Sequence, residues 1–148
     1  MATDKNILEE VSNSVEAFVN ASSDIRDDEK IALAAVKYSG SSLEYVSKRL
    51  QDNEKIVKAA INEDQDALGY ASERLRADKA IVMASVKIWG VSLQYASDEL
   101  RNDKTIVMSA IKARSSSITY ASDELKSDKA FLKAASKVDS DILEYLAS

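Results

Sequence analysis

The hydrophobic and polar residues of this chain follow a pattern that repeats every 25 positions. Tyrosine marks one position of the repeat, at Tyr45, Tyr70, Tyr95, Tyr120 and Tyr145. Serine marks another, at Ser22, Ser47, Ser72, Ser97 and Ser122. A fixed period of this size is typical of supersecondary units that stack and share one continuous core.

The first part of each repeat predicts a short amphipathic helix, here called helix A. In the repeat that begins at position 43, the residues on one narrow arc of the helical wheel are Leu43, Val46, Ser47 and Leu50. The recurring serine falls at the core edge of this helix. There its hydroxyl could donate a hydrogen bond to the carbonyl four residues earlier.

A second helical pattern, helix B, follows in each repeat. An Asp or Asn precedes it, and such side chains cap a helix by accepting a hydrogen bond from its free N–H groups. The predicted caps are Asp28, Asn53, Asp78, Asp103 and Asp128. Helix B is apolar over a wide arc, in the columns that begin at Ile31, Ala32, Ala34, Ala35 and Val36. After two of these helices, Gly40 and Gly90 are predicted to be left-handed C-cap residues.

Together the two patterns predict an all-α fold, an α-solenoid of 25-residue helical hairpin repeats with about 11–12 short helices. We expect a single domain over residues 1–148. Its predicted parts are an N-terminal cap 1–17, the repeats 18–42, 43–67, 68–92, 93–117 and 118–142, and a C-terminal half-repeat 143–148. Within the cap, residues 4–13 resemble helix B. Ser136 replaces the aliphatic residue of its column, as expected where no further helix B covers the surface.

The amino-acid composition excludes several common kinds of catalytic site. The chain has neither histidine nor cysteine, so nucleophilic triads of the usual kind and thiolate zinc sites are excluded. A Ser–Lys pair remains formally possible. The acidic clusters lack EF-hand spacing and fit helix-end electrostatics better than metal binding. We therefore predict a protein that is not an enzyme, with no cofactor, metal or small-molecule substrate.

Charge and hydropathy bear on partners and location. The net charge of −5 makes direct nucleic-acid binding an unfavourable interpretation. The first 20 residues are polar and acidic, and no apolar run approaches membrane-spanning length. We expect a cytoplasmic protein without a membrane partner, in a host cytoplasm if it is an effector or phage protein. An effector exported by a non-classical route would have the same sequence features.

Two segments carry a family resemblance. The sequence LRNDKTIVMSAIK at 100–112 and the sequence LQYASDEL at 93–100 resemble the tandem repeat called domain of unknown function 4116. The resemblance covers about residues 18–147 and is strongest from 68 to 126. It implies an all-helical repeat protein found mostly in bacteria and in mobile or pathogenic elements. It implies no activity and supplies no catalytic residues.

Charged residues form separate columns on the two helices. The outward lysines of helix B are Lys37, Lys55, Lys58, Lys87, Lys112, Lys133 and Lys137. Helix A becomes acidic toward the C-terminus, at Glu73, Asp98, Glu99, Asp123, Glu124 and Glu144. These columns predict a lysine-rich face and an acidic face, which are either simply solvated or steer a partner of opposite charge.

The tyrosine column has two interpretations. Tyr45 lies roughly opposite Leu43 on the helical wheel, so its ring cannot belong to the seam between its own helices A and B. Each ring could lie flat against the next helix A with its hydroxyl in water. Alternatively, the tyrosines form an exposed ladder suited to gripping a peptide.

One break in the repeat predicts a binding site. Trp89, the only tryptophan, follows helix B where other repeats have polar residues, so we expect an exposed indole. The predicted partner-binding residues are Trp89, Ile88, Val91, Met83 and Met108. A lone apolar cluster around a tryptophan is typical of a binding hot spot. The alternative is local packing, with Val91 touching Val86 beside a cap at Gly90.

These observations predict a non-enzymatic protein–protein interaction module whose partner is another protein. In a bacterial, phage or pathogen setting it would act as an inhibitor or adaptor. The alternative function is an acidic or dipolar decoy that occupies the nucleic-acid-binding surface of a partner.

Overall fold

The computed structural model describes residues 4–148, and most of these residues lie in helices. The predicted all-α repeat fold is confirmed. The segment 4–13, which resembles helix B, contains a helix over Asp4–Val11. Met1–Thr3 of the predicted N-terminal cap lie outside the described residues. Contacts divide the chain into two compact units, with the boundary between Leu75 and Arg76.

The first unit contains α1, two B helices and several shorter helices. Its helices are α1 (Asp4–Val11), α2 (Val15–Val19), α3 (Ser23–Arg26), α4 (Glu29–Tyr38), the 3₁₀ helix η1 (Gly40–Glu44), α5 (Lys48–Gln51), α6 (Glu54–Glu63) and α7 (Ala67–Tyr70). The helix α8 (Glu73–Arg76) crosses the boundary. The B helices are α4 and α6, which pack against each other, and α1 packs on α4.

The second unit contains three B helices in succession. Its helices are the 3₁₀ helices η2 (Gly90–Tyr95) and η3 (Ser115–Tyr120), together with α9 (Lys79–Ile88), α10 (Asp98–Arg101), α11 (Lys104–Ala113), α12 (Asp123–Ser127), α13 (Lys129–Ser136) and α14 (Ile142–Ala147). The B helices are α9, α11 and α13. Helix α11 packs against both α9 and α13.

Every predicted cap of helix B is confirmed. Asp28 Oδ1 accepts a hydrogen bond from the Ile31 amide at 2.9 Å, and Asp103 Oδ1 accepts one from the Ile106 amide at 3.1 Å. The same bond recurs at Asn53, Asp78 and Asp128. Because these helices of eight or ten residues are too short to be stable alone, capping and packing together define where they form.

The core consists of apolar columns that recur at the repeat period. Each B helix buries the four positions equivalent to Ile31, Ala32, Ala35 and Val36, with small departures in α13. The predicted fifth column, which begins at Ala34, is not part of the core, because Ala84 and Ala134 are exposed. Ser136 is half-buried whereas Val36 is fully buried, as predicted for a position that no further helix B covers.

Helix A is not one helix, so that prediction was wrong. In each repeat it is two short helices, such as η1 and α5, which the recurring serine separates. The Ser47 hydroxyl accepts a hydrogen bond from the Leu50 amide at 3.3 Å and therefore caps α5. The expected donation to a carbonyl four residues earlier was also wrong, because this hydroxyl donates to Asp27 in the preceding repeat.

The two glycines have a steric role and not the predicted left-handed conformation. No described residue has a positive φ angle, so neither Gly40 nor Gly90 is a left-handed cap. A β-carbon on Gly40 would overlap the Ala60 carbonyl oxygen and lie 2.5 Å from the Asp64 β-carbon. A β-carbon on Gly90 would overlap the Ala110 carbonyl oxygen. Glycine therefore lets a 3₁₀ helix lie directly against the next B helix.

Candidate protein-binding face

The outward side of the B helices in the second unit is built from a few recurring positions. On α9 these positions are Ala80, Met83, Ala84, Lys87 and Ile88, all of them exposed or half-buried. The equivalent positions on α11 and α13 are again small, apolar or lysine residues. We call the outward sides of α9, α11 and α13 the B face.

Charge on the B face has a single sign. The sequences of α9, α11 and α13 contain lysines and no carboxylate. Within the described part of the chain, five lysines of these helices and their ends make no ion pair: Lys87, Lys112, Lys129, Lys133 and Lys137. The B helices of the first unit differ, because α4 and α6 also carry Glu29, Glu54 and Glu63.

Two further lysines link successive B helices. Lys79 Nζ donates to Asp103 Oδ2 at 2.6 Å, and Lys104 Nζ donates to Asp128 Oδ2 at 2.7 Å. The hydrogen bond from Lys79 holds the pKa of the Asp103 carboxyl below its ordinary value, against an opposing effect of burial. The Lys104 hydrogen bond likewise lowers the pKa of Asp128. Each of these two caps is thus bound by the lysine that begins the preceding B helix.

The acidic residues of the second unit lie on different helices. Asp98 and Glu99 begin α10, and Asp123 and Glu124 begin α12. All four side chains are exposed. In this unit the exposed lysines of the B helices and these four carboxylates therefore lie on different helices.

The predicted binding residues occupy three different settings. Ile88 is 46% exposed at the end of α9. Met83 and Met108 are half-buried at equivalent positions of α9 and α11, which pack together. Because Met83 and Ile88 are five residues apart, they lie about 140° from each other around α9, at opposite edges of its outward arc.

Trp89 differs from its prediction. Its side chain is half-buried, as is Val91, so the expected exposed indole is not found. Trp89 follows α9 in a link whose backbone leads into η2, and its amide donates to the Ser85 carbonyl at 2.8 Å. Equivalent positions of other repeats are also half-buried, apart from Arg114, which is exposed. A polar residue at this position does not by itself indicate exposure.

Sequence reasoning did not identify other exposed apolar side chains on helix B. Tyr38 is 51% exposed and Val138 is 42% exposed, and both occupy the repeat position of Ile88. Tyr38 belongs to the first unit and Val138 to the second. Comparison of this column across the repeats could have found them, because Glu63 marks it as a position that faces water.

The tyrosine column favours packing over an exposed ladder. Tyr45, Tyr70, Tyr95 and Tyr120 are half-buried, while Tyr145 is 38% exposed. Burial and the nearby Glu44 raise the pKa of Tyr70, in that order of effect. Much of the surface of these four rings is therefore shielded from solvent, as the packing interpretation expects.

The described residues form neither a metal centre nor a membrane-spanning helix. Among residues 4–148, no group of three or more acidic side chains is arranged to hold a metal ion. None of the helices in that range has both the length and the apolar character needed to cross a bilayer.

No curated protein and no solved structure matches the chain. The model of one family, Domain of unknown function (DUF4116), matches in five overlapping windows, over residues 4–51, 28–76, 53–101, 78–120 and 103–148. Four of these windows begin at the cap of a B helix, Asp28, Asn53, Asp78 or Asp103, and each window covers roughly two of the repeats described above. The chain therefore belongs to the family Domain of unknown function (DUF4116), as an array of its tandem helical repeats.

Proposed function

We propose that this chain is a non-enzymatic protein-interaction module that binds its partner through the B face of the second unit. The observation that carries this proposal is the composition of that face. The three B helices α9, α11 and α13 combine exposed or half-buried apolar side chains with lysines and contain no carboxylate. A surface of this kind can bury apolar area while attracting a partner of opposite charge.

Repeat architecture supports the proposal. In repeat proteins the core residues recur in every unit, so positions that vary on one continuous face are free to specify a partner. On the B face the column of Met83 and Met108 holds Leu33, Lys58 and Lys133 in the other repeats. Methionine is an adaptable contact residue at binding surfaces. In a bacterial, phage or pathogen setting, the module would serve as an inhibitor or adaptor.

The acidic decoy is the less favoured function. A decoy for a nucleic-acid-binding surface needs a dense surface of negative charge. In the second unit, Asp98 lies 3.6 Å from Arg101 and Asp123 lies 3.1 Å from Lys126 within the same helices. Basic side chains therefore interrupt the acidic edge.

Site-specific photo-crosslinking in cells tests the proposal. A photoreactive amino acid replaces Lys112 on the B face, and matched chains carry it at Lys37 or at Asp98. Lys37 occupies the same repeat position on α4 of the first unit, and Asp98 begins α10. We expect a discrete crosslinked protein from position 112 alone. Crosslinks from position 98 and none from position 112 would contradict the proposal.

A further inference from the structure

A groove of about 500 Å³ lies between α11 and α13 on the B face. Its apolar lining comes from the half-buried Met108 and from Phe131, whose side chain is 5% exposed. Ala130 and Ala134 leave space on the α13 side because their side chains are small. The groove therefore offers an apolar surface that nothing in its own unit covers.

The helix that borders the groove is long enough to contact a short helix along its length. Helix α11 has ten residues, so it is about 15 Å long. This length matches two to three turns of an amphipathic helix, which would present apolar residues at spacings of three, four and seven. A groove of this kind between two parallel ridges is a common site for helix recognition.

The charges around the groove specify the occupant further. Lys112 lines the groove and makes no ion pair with any described residue, while Lys104 is held by Asp128 at 2.7 Å. Lys133 is exposed on α13 and is likewise unpaired among residues 4–148. Because α11 and α13 contain no carboxylate and Asp128 is already paired with Lys104, the unpaired lysines disfavour a basic partner.

A peptide fits these features better than a nucleic acid does. Helices α9, α11 and α13 contain no arginine, which is the residue most often used for bidentate contacts to phosphate. An apolar lining with lysines at its edge is suited to hydrophobic residues flanked by carboxylates.

We propose that the groove between α11 and α13 binds an acidic amphipathic helix of a partner protein. Apolar side chains of that helix lie on Met108 and Phe131, and its carboxylates lie near Lys112. This inference rests on the proposed function and adds the chemistry of the partner. It assigns the contact to one groove of the B face.

A defined peptide panel tests the inference. The probe is a labelled peptide of about 14 residues, or about 21 Å as a helix, with leucines at helical spacing and glutamates beside them. One control peptide replaces each glutamate with lysine, and another scrambles the sequence so that the leucine stripe is lost. Fluorescence anisotropy with the full chain measures the dissociation constants. We expect the acidic peptide to bind at least about tenfold tighter than either control.

Variants locate the peptide on the chain. Met108→Lys introduces the residue that Lys58 and Lys133 provide at equivalent positions, so the fold is retained. We expect it to weaken peptide binding at least about tenfold, since it places a charge on the apolar lining. Lys112→Glu should weaken binding by about fivefold at low salt, and its matched control Lys37→Glu should leave it unchanged. Circular dichroism melting curves verify folding.

Several results would overturn the inference. They are equal binding of the charge-reversed peptide, retained binding by Met108→Lys, and displacement of the peptide by a single-stranded oligonucleotide or by phosphatidylserine vesicles. If the panel fails while position 112 crosslinks to a protein in cells, the proposed function stands and the acidic helix is wrong. If crosslinking from position 112 also fails, both proposals are wrong.

Discussion

Arg74 reaches back 22 residues along the chain to Asp52 in the preceding repeat. Its Nε donates to Asp52 Oδ1 at 3.0 Å, and its Nη2 donates to the Asp52 carbonyl oxygen at 3.0 Å. Ser72 also donates to Asp52 Oδ1, at 2.5 Å. The hydrogen bonds from Ser72 and then Arg74 lower the pKa of Asp52.

The equivalent positions in the second unit have changed together. Asn102 stands in the column of Asp52, and Glu124 stands in the column of Arg74. Here the amide of Asn102 donates to Glu124 Oε2 at 3.0 Å, and Ser122 donates to Asn102 Oδ1 at 2.5 Å. A side-chain hydrogen bond therefore joins the two repeats in both cases, but its direction is reversed. Arg74 donates to Asp52, whereas Asn102, in the column of Asp52, donates to Glu124. A backbone bond accompanies both versions, from the Ser72 amide to Gln51 and from the Ser122 amide to Arg101, each at 2.9 Å.

Exchange of this pair is testable. Arg74→Glu places a carboxylate beside Asp52, so we expect the melting temperature to fall by a few degrees. The double variant Asp52→Asn with Arg74→Glu recreates the pair found at positions 102 and 124 and should recover most of that loss. Calorimetry of the wild type, both single variants and the double variant measures the coupling. Purely additive effects would show that the two side chains do not act as a unit.

Gly90→Ala should destabilise the chain by about 1–3 kcal/mol, because the methyl group overlaps the Ala110 carbonyl oxygen and forces η2 away from α11. Chemical denaturation measures the free energy of unfolding. Gln65→Ala is the matched control, since this exposed residue occupies the same repeat position and its replacement should have little effect. An unchanged free energy in Gly90→Ala would mean that the two helices do not lie so close.

The ion pair of Lys79 with Asp103 predicts a dependence on pH. The pKa of Asp103 is lowered in the folded chain, so its contribution to stability is present above the ordinary carboxyl pKa of about 4. That contribution is lost as the pH falls through the lower, folded value. Asparagine can also cap a B helix of this chain, as Asn53 does for α6, but it cannot ionise. Asp103→Asn therefore keeps the cap and removes the charge.

We therefore expect Asp103→Asn to be less stable than the wild type at pH 7, with a difference in melting temperature that narrows as the pH falls below about 4. Melting curves recorded over this range provide the comparison. A difference that stays constant with pH would show that the stabilising interaction does not depend on the charge of Asp103.

Trp89→Ala should lower the free energy of unfolding by about 1–3 kcal/mol, since it removes an indole that is half-buried. This expectation differs from that of an exposed hot spot, for which only partner binding would suffer. Ile88→Ala is the contrasting variant, because Ile88 is 46% exposed and should cost little stability. Equal melting temperatures for Trp89→Ala and the wild type would show that the indole does not contribute to stability, as expected for a residue that contacts only a partner.

The B helices could be predicted because their determinants are local. An Asp or Asn cap followed by a wide apolar arc fixes both the start and the buried side of each helix, as at Asp28 with Ile31 and Val36. These features recur at a fixed period, so each repeat confirms the others. The family assignment depends on the same recurring residues.

The division of helix A could not be read from hydrophobic periodicity. Leu43 and Leu50 are both fully buried, which satisfies one amphipathic stripe whether the helix is continuous or broken. The signal for the break was the serine, because Ser97 and Ser122 each precede Asp-Glu, a combination typical of a helix start. The role of Gly90 could not be predicted, since it depends on how closely a residue 20 positions later, Ala110, approaches in space.

The candidate site was only partly predictable for a similar reason. Lys112 and Met108 could be placed on helix B from the repeat, but the groove beside them requires the packing of α11 on α13. Trp89 stood out by composition, whereas its half-buried state depends on the link between α9 and η2. A unique residue in a repeat marks a local difference and does not show whether that difference faces water.

The most direct measurement of the B face uses methionine methyl groups. The chain has three methionines, and two of them, Met83 on α9 and Met108 on α11, lie on this face. Methyl NMR spectra of the ¹³C-methionine-labelled full chain are recorded while the protein crosslinked from position 112 is added. Binding through the B face predicts that the Met108 signal shifts or broadens as the complex forms. A complex that forms while the signals of Met83 and Met108 keep their positions and widths would contradict it.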